Sequence, residues 1–299
     1  MSGRSGDNVI LAIALSLLAL VLFDLMGLII KLLSPRYSAA ELSAYRNFFG
    51  IFPSLIALWS SRAWHAAGRP WRLRQWKLGF LRGIFVTFAQ FLFYYSLGVM
   101  AFATASTITY ANAIFMTALA VPLLGERVGW IRWLAVLLGF AGVLMVMKPG
   151  SDTFTLDALA PLGAAFLYAL SGVSARLMDP EVPSPVINLY SVVSALFGSL
   201  ALAFYAGGFT PIADFRDLAW VAAMGAFGGT AVLCLVVSYR MTEQSNLAPF
   251  SYFGIPFAFV AGWIAFDEAP WADLFPGALF IVAGGLLVIW RERRMSRRS

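Results

Sequence analysis

Residues 9–33 read VILAIALSLLALVLFDLMGLIIKLL, an apolar run that contains one aspartate a little past its middle and one lysine near its end. About 20 apolar residues in a helix span the hydrocarbon core of a bilayer, so this run is long enough to cross a membrane. The whole chain has the same character, since 61% of its 299 residues are hydrophobic and 12% are charged. A soluble domain needs more charged surface to face water. The sequence therefore predicts an all-α, polytopic membrane protein.

Ten apolar segments of this kind follow one another, separated by short breaks rich in turn formers or charge. The first is read as a retained helix, because no clear cleavage site follows it. No segment is long or polar enough to form a soluble domain. The predicted spans, numbered one to ten, are 9–33, 39–60, 78–99, 103–124, 130–147, 157–177, 185–206, 216–240, 246–266 and 272–290.

Lysine and arginine are distributed unevenly between the two sides of the predicted membrane. With a cytoplasmic N-terminus, 16 of the 21 lysines and arginines lie on the cytoplasmic side, mostly in the loop after the second span and in the C-terminal tail. Cytoplasmic loops carry such an excess. The distribution predicts that both termini are cytoplasmic. The net charge of +6 is then explained by topology, and we expect no nucleic acid partner.

Two parts of the chain, 142 residues apart, follow the same pattern of tyrosine, glutamate and glycine. We therefore divide the chain into a first half, 1–150 with spans one to five, and a second half, 151–299 with spans six to ten. Five crossings per half give the second repeat an inverted orientation, which transporters use for alternating access. A duplicated bundle without a transport role is the alternative. The two copies contain Thr109-Tyr110, Glu126 and Ala141-Gly142, then Ser251-Tyr252, Glu268 and Ala283-Gly284.

The sequence lacks the residues that most metal sites and intramembrane enzymes need. Cys234 is the only cysteine and His65 the only histidine. A disulfide or a thiolate metal site needs more than one cysteine, and a hydrolytic centre needs a nucleophile with a base or a metal cluster. We therefore expect no cofactor, no metal and no enzymatic activity.

Asp24 is the sharpest candidate for a functional residue, because it lies within the first span. An ionised side chain at such a depth costs about 2.5 to 3.5 kcal/mol, so it faces a cavity or a partner. One interpretation is that Asp24 binds a substrate amino group or carries a coupling proton. The other is a structural partner, for instance for Arg46 near the start of the second span. The sequence leaves both open.

Further polar and aromatic residues recur at helical spacing in other spans. Thr87, Gln90, Phe91 and Tyr94 share one face of the third span, and a glutamine within hydrocarbon requires hydrogen-bond partners. Interhelical packing is the alternative for the hydroxyl residues. Tyr110 is more specific, because Tyr252 occupies the same place in the second copy. The two tyrosines are predicted to face each other across a central cavity.

Glu126 and Glu268 each follow one span and precede the next. A carboxylate at a helix N-terminus is stabilised by about 0.3 to 1 kcal/mol through the helix dipole. We therefore interpret Glu126 as a cap of the fifth span and Glu268 as a cap of the tenth.

Tyr110, the run Leu124-Gly125-Glu126-Arg127 and the run Gly139-Phe140-Ala141-Gly142-Val143, with the second copy through Glu268, resemble the EamA-type repeats of the drug/metabolite transporter superfamily. The resemblance covers nearly the whole chain. Ser251-Tyr252-Phe253 and Pro256, together with Tyr110, Gln90 and the aromatic residue beside Asp24, are similar to bacterial exporters of aromatic and other neutral amino acids. One departure is Asp267-Glu268-Ala269-Pro270 in place of Gly125-Glu126-Arg127-Val128, which separates the roles of the two glutamates.

The resemblance implies a bacterial inner-membrane exporter with a central cavity between the first, third, fourth, sixth, eighth and ninth spans. Carried over by position, it assigns to that cavity Phe23, Asp24, Gln90, Tyr94, Tyr110, Tyr168, Ser251 and Tyr252; the stripe on the third span adds Phe91.

We therefore predict a monomeric secondary transporter that exports aromatic or hydrophobic neutral amino acids, or related metabolites, by alternating access. One alternative is a drug or phosphorylated-metabolite exchanger of the same superfamily. A phosphorylated substrate would call for several lysines or arginines in the cavity, and the span interiors contain almost none. The other alternative is a membrane scaffold or receptor subunit that transports nothing.

Overall fold

The structure is a computed structural model, and it describes residues 4–125, 130–147, 155–179, 181–241, 250 and 253–296. Within these ranges every regular element is a helix, which confirms the all-α fold. A single 3₁₀ turn, Leu156–Ala158, precedes α8. The helices are α1 (Arg4–Leu33), α2 (Ala39–Trp59), α3 (Arg62–Ala66), α4 (Trp76–Val99), α5 (Phe102–Thr109), α6 (Asn112–Leu124), α7 (Trp130–Met147), α8 (Leu159–Arg176), α9 (Ser184–Tyr205), α10 (Phe215–Met241), α11 (Gly254–Phe266), α12 (Trp271–Leu274) and α13 (Gly277–Ser296).

The helices follow the predicted spans closely. Among the described residues, six stretches are long and apolar enough to cross a membrane by length and composition. Two shorter apolar helical segments, Leu137–Val146 and Gly254–Phe266, fall in the predicted fifth and ninth spans. The start of the ninth span includes residues outside the described ranges. The chain is a multi-pass membrane protein, and spans one to five correspond to α1, α2, α4, α5 with α6, and α7, and spans six to ten to α8, α9, α10, α11 and α13.

The start of α2 is fixed by a capping box. The Ser38 hydroxyl accepts the backbone N–H of Glu41 at 3.3 Å, and the Glu41 carboxylate accepts the backbone N–H of Ser38 at 2.7 Å. Each side chain thus satisfies a backbone donor that the helix leaves without an internal partner. This local sequence sets where the chain re-enters the membrane after α1.

The fourth span is broken, although the apolar pattern predicted one helix over 103–124. Helix α5 ends at Thr109 and α6 begins at Asn112, with a turn at Tyr110 and Ala111 between them. At this break the Thr109 hydroxyl donates to the Ala105 carbonyl at 2.9 Å. The break places Tyr110 at the end of a half-helix.

The main helix pairs between the two halves repeat when five is added to each span number. Span one packs on span eight, and span six packs on span three. Span three packs on span seven, and the equivalent pair is span eight on span two. Span four packs on span six, and the equivalent pair is span nine on span one. The pairs two with seven, four with nine and five with ten map onto themselves. Each half of the chain therefore contacts the other through equivalent surfaces.

A close helix crossing joins α7 of the first half to α13 of the second. A Cβ at Gly142 would lie 2.6 Å from the Gly277 carbonyl oxygen and 2.7 Å from the Ile281 backbone nitrogen. The neighbouring side chains of Val143 and Ile281 are fully buried. Small residues allow helix backbones to approach in this way, and packing of this kind drives helix association in membranes.

Candidate functional site

A buried polar network ties the middle of α2 to α4 and α9. The side-chain amide of Asn47 donates to Gln90 Oε1 at 2.9 Å, and also to the Ala195 carbonyl and the Ser199 hydroxyl, each at 3.3 Å. Arg46 Nη1 donates to Asn47 Oδ1 at 3.2 Å. Gln90 is therefore buried, as an intramembrane amide should be, and its oxygen is held by a neighbouring helix of the same half.

Asp24 is buried and lacks a partner for one oxygen. Its exposed fraction is 8%, and Oδ2 accepts no hydrogen bond from the part of the chain that the structure describes. No described ion pair joins Asp24 to Arg46, the structural partner considered from the sequence. The Tyr110 hydroxyl is close enough to Asp24 for an electrostatic interaction. A ligand cation or a proton would compensate this carboxyl group.

Tyr110 lies where the two halves meet. A Cβ at Gly254 would overlap the Tyr110 hydroxyl, so the tyrosine packs directly against the first residue of α11. Gly254 follows Tyr252 by two positions, which places Tyr110 against the corresponding segment of the second repeat. Tyr252 and Ser251 lie outside the described residues. The predicted pairing of the two tyrosines stays a prediction.

Arg46 is a further candidate in the structure, whereas the sequence predicts it only as a possible structural partner of Asp24. It is 7% exposed, and Nε has no hydrogen-bond partner within the described ranges. The hydroxyls of Tyr94 and Tyr168 are both within electrostatic range of its charge. The sequence signal that could have identified Arg46 is its position, seven residues after the start of a helix that crosses the membrane. An arginine within a membrane span is a functional candidate by default.

The remaining predicted cavity residues occupy different environments. Tyr94 is 2% exposed and belongs to an apolar cluster against which Phe23 packs. Phe91 and Tyr168 are half-buried. The structure thus brings Phe23 and Tyr94 into one cluster.

Glu268 binds at the start of α5 in the first half of the chain. Its Oε2 accepts the backbone N–H of Phe102 at 2.9 Å, and its Oε1 pairs with Lys31 Nζ at 2.8 Å. Lys31 also donates to the Met100 carbonyl at 2.7 Å. We call these four residues the Lys31 latch. We call the side of the membrane at which α1 ends the Lys31 face. Glu268 therefore caps a helix, but the helix is α5 and not the tenth span. The predicted cap Glu126 lies outside the described residues.

Three more carboxylates join the two halves at the Lys31 face. The position of this face follows from the alternating direction of successive spans. Asp217 and Asp157 come from the second half and accept from first-half donors, whereas Glu41 comes from the first half. The contacts are Tyr37 Oη to Asp217 Oδ2 (2.8 Å), Arg36 Nη1 to Asp217 Oδ1 (2.9 Å), Tyr95 Oη to Asp157 Oδ1 (2.7 Å), and the backbone N–H of Thr210 to Glu41 Oε1.

The part of the chain that the structure describes contains no group of three or more histidine, cysteine, aspartate or glutamate side chains that could hold a metal ion. His65 Nδ1 lies 2.9 Å from the Ser61 carbonyl in the loop after α2. The polar chemistry of the bundle interior is therefore that of carboxyl, guanidinium, amide and phenol groups.

The bundle has equivalent helix pairs between its halves, a broken span at their junction and uncompensated charges in its interior. These features are typical of the class of membrane transporters. Comparison with known sequences identifies its family. The sequence profile of the EamA-like transporter family matches residues 10–148 and 156–290. The chain belongs to this family, and hence to the drug/metabolite transporter superfamily.

Several curated relatives align with the chain. An S-adenosylmethionine uptake transporter of Rickettsia bellii is 25% identical, and the alignment covers 94% of each chain. A riboflavin transporter of Vibrio cholerae is 30% identical over 59% of this chain and 58% of its own. A pseudopaline exporter of Pseudomonas aeruginosa is 24% identical over 93% of each chain. By their names, these relatives transport different small molecules, and they include both an uptake transporter and an exporter.

A solved structure shares the fold. A protein crystal structure that is 19% identical aligns over 95% of this chain and 98% of its own, with a TM-score of 0.62. At this identity the likeness applies to the fold alone.

Proposed function

We propose that the chain exports aromatic or hydrophobic neutral amino acids, or related amino-acid metabolites, by alternating access between its two halves. The observation that carries the proposal is the buried carboxyl group of Asp24, whose Oδ2 has no hydrogen-bond partner among the described residues. An intramembrane carboxyl group without a partner is costly and marks a ligand or proton site. An amino-acid ammonium group provides the charge that Asp24 lacks.

The aromatic surroundings support an apolar or aromatic side chain on the substrate. Phe23, Tyr94 and Tyr168 lie among the buried or half-buried residues of the interior. Aromatic rings offer a large apolar surface together with hydroxyl groups for orientation. S-adenosylmethionine, which the Rickettsia relatives are named for, is itself an amino acid that carries an aromatic base. Riboflavin, the named substrate of other relatives, is aromatic too.

We further propose that the protein acts as a monomer in a bacterial inner membrane, with both termini in the cytoplasm. The excess of lysine and arginine on one side supports this orientation. The Lys31 face is then periplasmic. The division of the chain into inverted repeats, 1–150 and 151–299, is supported by the equivalent helix pairs. Such repeats have two similar packings, one open to each side.

Proteoliposomes test the proposed substrates. Purified protein is reconstituted with internal radiolabelled phenylalanine, tryptophan, methionine or threonine, and release is compared with that from protein-free liposomes. S-adenosylmethionine and riboflavin are included as competitors. We expect release of at least one aromatic or hydrophobic amino acid. Release of none of the four would overturn the proposed substrate class.

We expect Tyr110→Ala to retain the fold but to reduce flux at least about tenfold, because it removes a hydroxyl and a ring from the junction of the halves. Removing a buried aromatic ring costs about 3 to 5 kcal/mol where it packs, and a loss of 1.4 kcal/mol in the transport step is about tenfold. Flux is normalised to the amount of folded protein from size-exclusion chromatography.

The matched control is Tyr205→Ala, because Tyr205 is a tyrosine that is 93% exposed at the end of α9. Equal flux in the two variants would remove Tyr110 from the proposed site. A scaffold without transport would show no flux in either variant or in the unmodified protein.

We expect Glu268→Gln to open the Lys31 face. The glutamine oxygen can still accept the Phe102 N–H, but the ion pair with Lys31 is lost. Opening that face must separate Lys31 from Glu268, so losing the pair shifts the equilibrium toward the open state by about 1.4 kcal/mol, or about tenfold.

Accessibility measures this shift. In a Cys234→Ala background, Ser106→Cys provides a single buried thiol in α5, which an impermeant maleimide reaches from the Lys31 face. Asp267→Asn removes the same charge one residue away and is the control. The labelling rate should rise about tenfold in Glu268→Gln only. Equal rates in Glu268→Gln and Asp267→Asn would contradict a gating role for the latch.

A further inference from the structure

Arg46 is a buried cation without a described counter-ion. The ion pairs of the described residues join Lys31 to Glu268 and Arg36 to Asp217, and neither includes Arg46. The described hydrogen bond of Arg46 goes to the neutral amide oxygen of Asn47, and Nε has none. Removing a charge from water without pairing it is costly. A group that is 7% exposed in this state is prepared for an anion.

Two glycines pack closely against the guanidinium group of Arg46. A Cβ at Gly228 of α10 would lie 3.0 Å from Nε and 3.4 Å from Nη2, and a Cβ at Gly50 would lie 3.5 Å from Nη1. Gly228 and Gly50 are therefore close neighbours of the guanidinium group, which also donates to Asn47. Any larger residue at position 228 would press on Nε, the atom that lacks a partner.

Arg46 and Asp24 lie at similar depths on the first two spans. Asp24 is about 13 Å along α1 from its end at Leu33, and Arg46 is about 10 Å along α2 from its start at Ala39, by the rise per residue of a helix. Both of these helix ends are at the Lys31 face. Helices α1 and α2, which carry the two residues, both pack against α10.

A second free donor accompanies Arg46 on α2. Ser43 precedes Arg46 by one helical turn and is fully buried, and its hydroxyl has no hydrogen-bond partner within the described ranges. Residues three apart lie on the same helix face. A guanidinium and a hydroxyl on one face form a donor set that suits a carboxylate.

We propose that Arg46 binds the carboxylate of the substrate while Asp24 binds its cationic group, so that the site selects zwitterions of the amino-acid type. A guanidinium group binds a carboxylate through two parallel hydrogen bonds, which gives orientation as well as affinity. Two opposite charges fixed on different helices accept a molecule that carries both charges. The inference rests on the proposed transport function and specifies the polar end of the substrate. Arg46 is a specificity residue in this scheme.

Matched acid and amide ligands test this assignment by binding, independently of flux. Thermal stabilisation of the purified full-length protein is measured against phenylalanine and phenylalaninamide, tryptophan and tryptophanamide, methionine and methioninamide, and benzoate and benzamide. We expect the half-saturating concentration of at least one acid to be at least tenfold lower than that of its amide. Arg46→Gln should abolish this difference, because it should weaken the binding of the acid and leave the binding of the amide unchanged.

Two further variants separate binding from a structural role. Arg46→Lys keeps the charge but not the two-pronged geometry, and should retain a preference for the acid with about tenfold weaker binding. The methyl group of Gly228→Ala would press on Arg46 Nε. This variant should weaken the binding of the acid more than the binding of the amide. If Arg46→Gln does not fold, these two variants give the answer.

Three results would overturn the inference: equal binding of acid and amide by the unmodified protein, an acid preference that survives in Arg46→Gln, or binding of no acid in the panel. An acid preference that depends on Arg46, found together with no flux of the four amino acids, would support this inference and overturn only the proposed transport substrates.

Discussion

Asp24→Asn is expected to reduce amino-acid flux by about tenfold to 150-fold, while the protein folds at least as well as the unmodified chain. Asparagine has nearly the same shape as aspartate, and a neutral amide costs less to bury than a carboxylate without a partner. The neutral asparagine cannot compensate the charge of a substrate ammonium group. A hydrogen bond to a charged group contributes about 1.5 to 3 kcal/mol, which sets the expected loss of flux. Flux in proteoliposomes and the melting temperature in detergent are measured on the same preparation.

The pH dependence of flux separates the two roles considered for Asp24. If Asp24 carries a coupling proton, the dependence disappears in Asp24→Asn. If Asp24 binds only the substrate, the dependence remains and the substrate concentration at half-maximal flux rises. Asp214→Asn is the control, since Asp214 is exposed in the loop before α10 and asparagine can still accept the Asp217 N–H. Unchanged flux in Asp24→Asn would remove Asp24 from the site.

Gly142→Leu is expected to have the largest effect on stability. Its side chain would meet the Gly277 carbonyl and the Ile281 nitrogen, which are backbone atoms that cannot rotate away. Overpacking of this kind costs typically 1 to 3 kcal/mol, and the absence of a movable neighbour favours the upper end, about 3 kcal/mol. The melting temperature in detergent should fall by roughly 10 °C.

The matched control for Gly142→Leu is Ala141→Leu. Ala141 precedes Gly142 on α7 but is exposed on the outside of the bundle, where leucine faces lipid or detergent. Its melting temperature should change little. Equal losses in the two variants would show that the crossing of α7 and α13 is not the cause.

The helical fold was predictable because membrane spans are specified by local composition. A run such as 9–33 must satisfy its backbone hydrogen bonds within itself, so an apolar run of this length becomes a helix wherever its neighbours lie. The break at Tyr110 was not predicted. No proline marks it, and the hydroxyl bond of Thr109 beside it is of a kind that also occurs within the unbroken α4, at Thr87.

The site was less predictable, because its contacts depend on distant parts of the chain. Position alone marked Asp24, since one carboxylate in an apolar run is unusual. Glu268 was assigned to the next helix in the sequence, whereas its partners Lys31 and Phe102 belong to the other half. Arg46 was considered only as the partner of Asp24. Its free guanidinium nitrogen is visible only after the neighbouring helices are in place.

The contact between Gly142 and Gly277 has a consequence for how the halves move. The α7–α13 pair maps onto itself when the halves are exchanged, and its backbones touch without intervening side chains. Two bodies that rock against each other need a pivot where displacement is smallest. A glycine contact of this kind tolerates rotation but little separation, so we expect α7 and α13 to form the hinge about which both access states are generated.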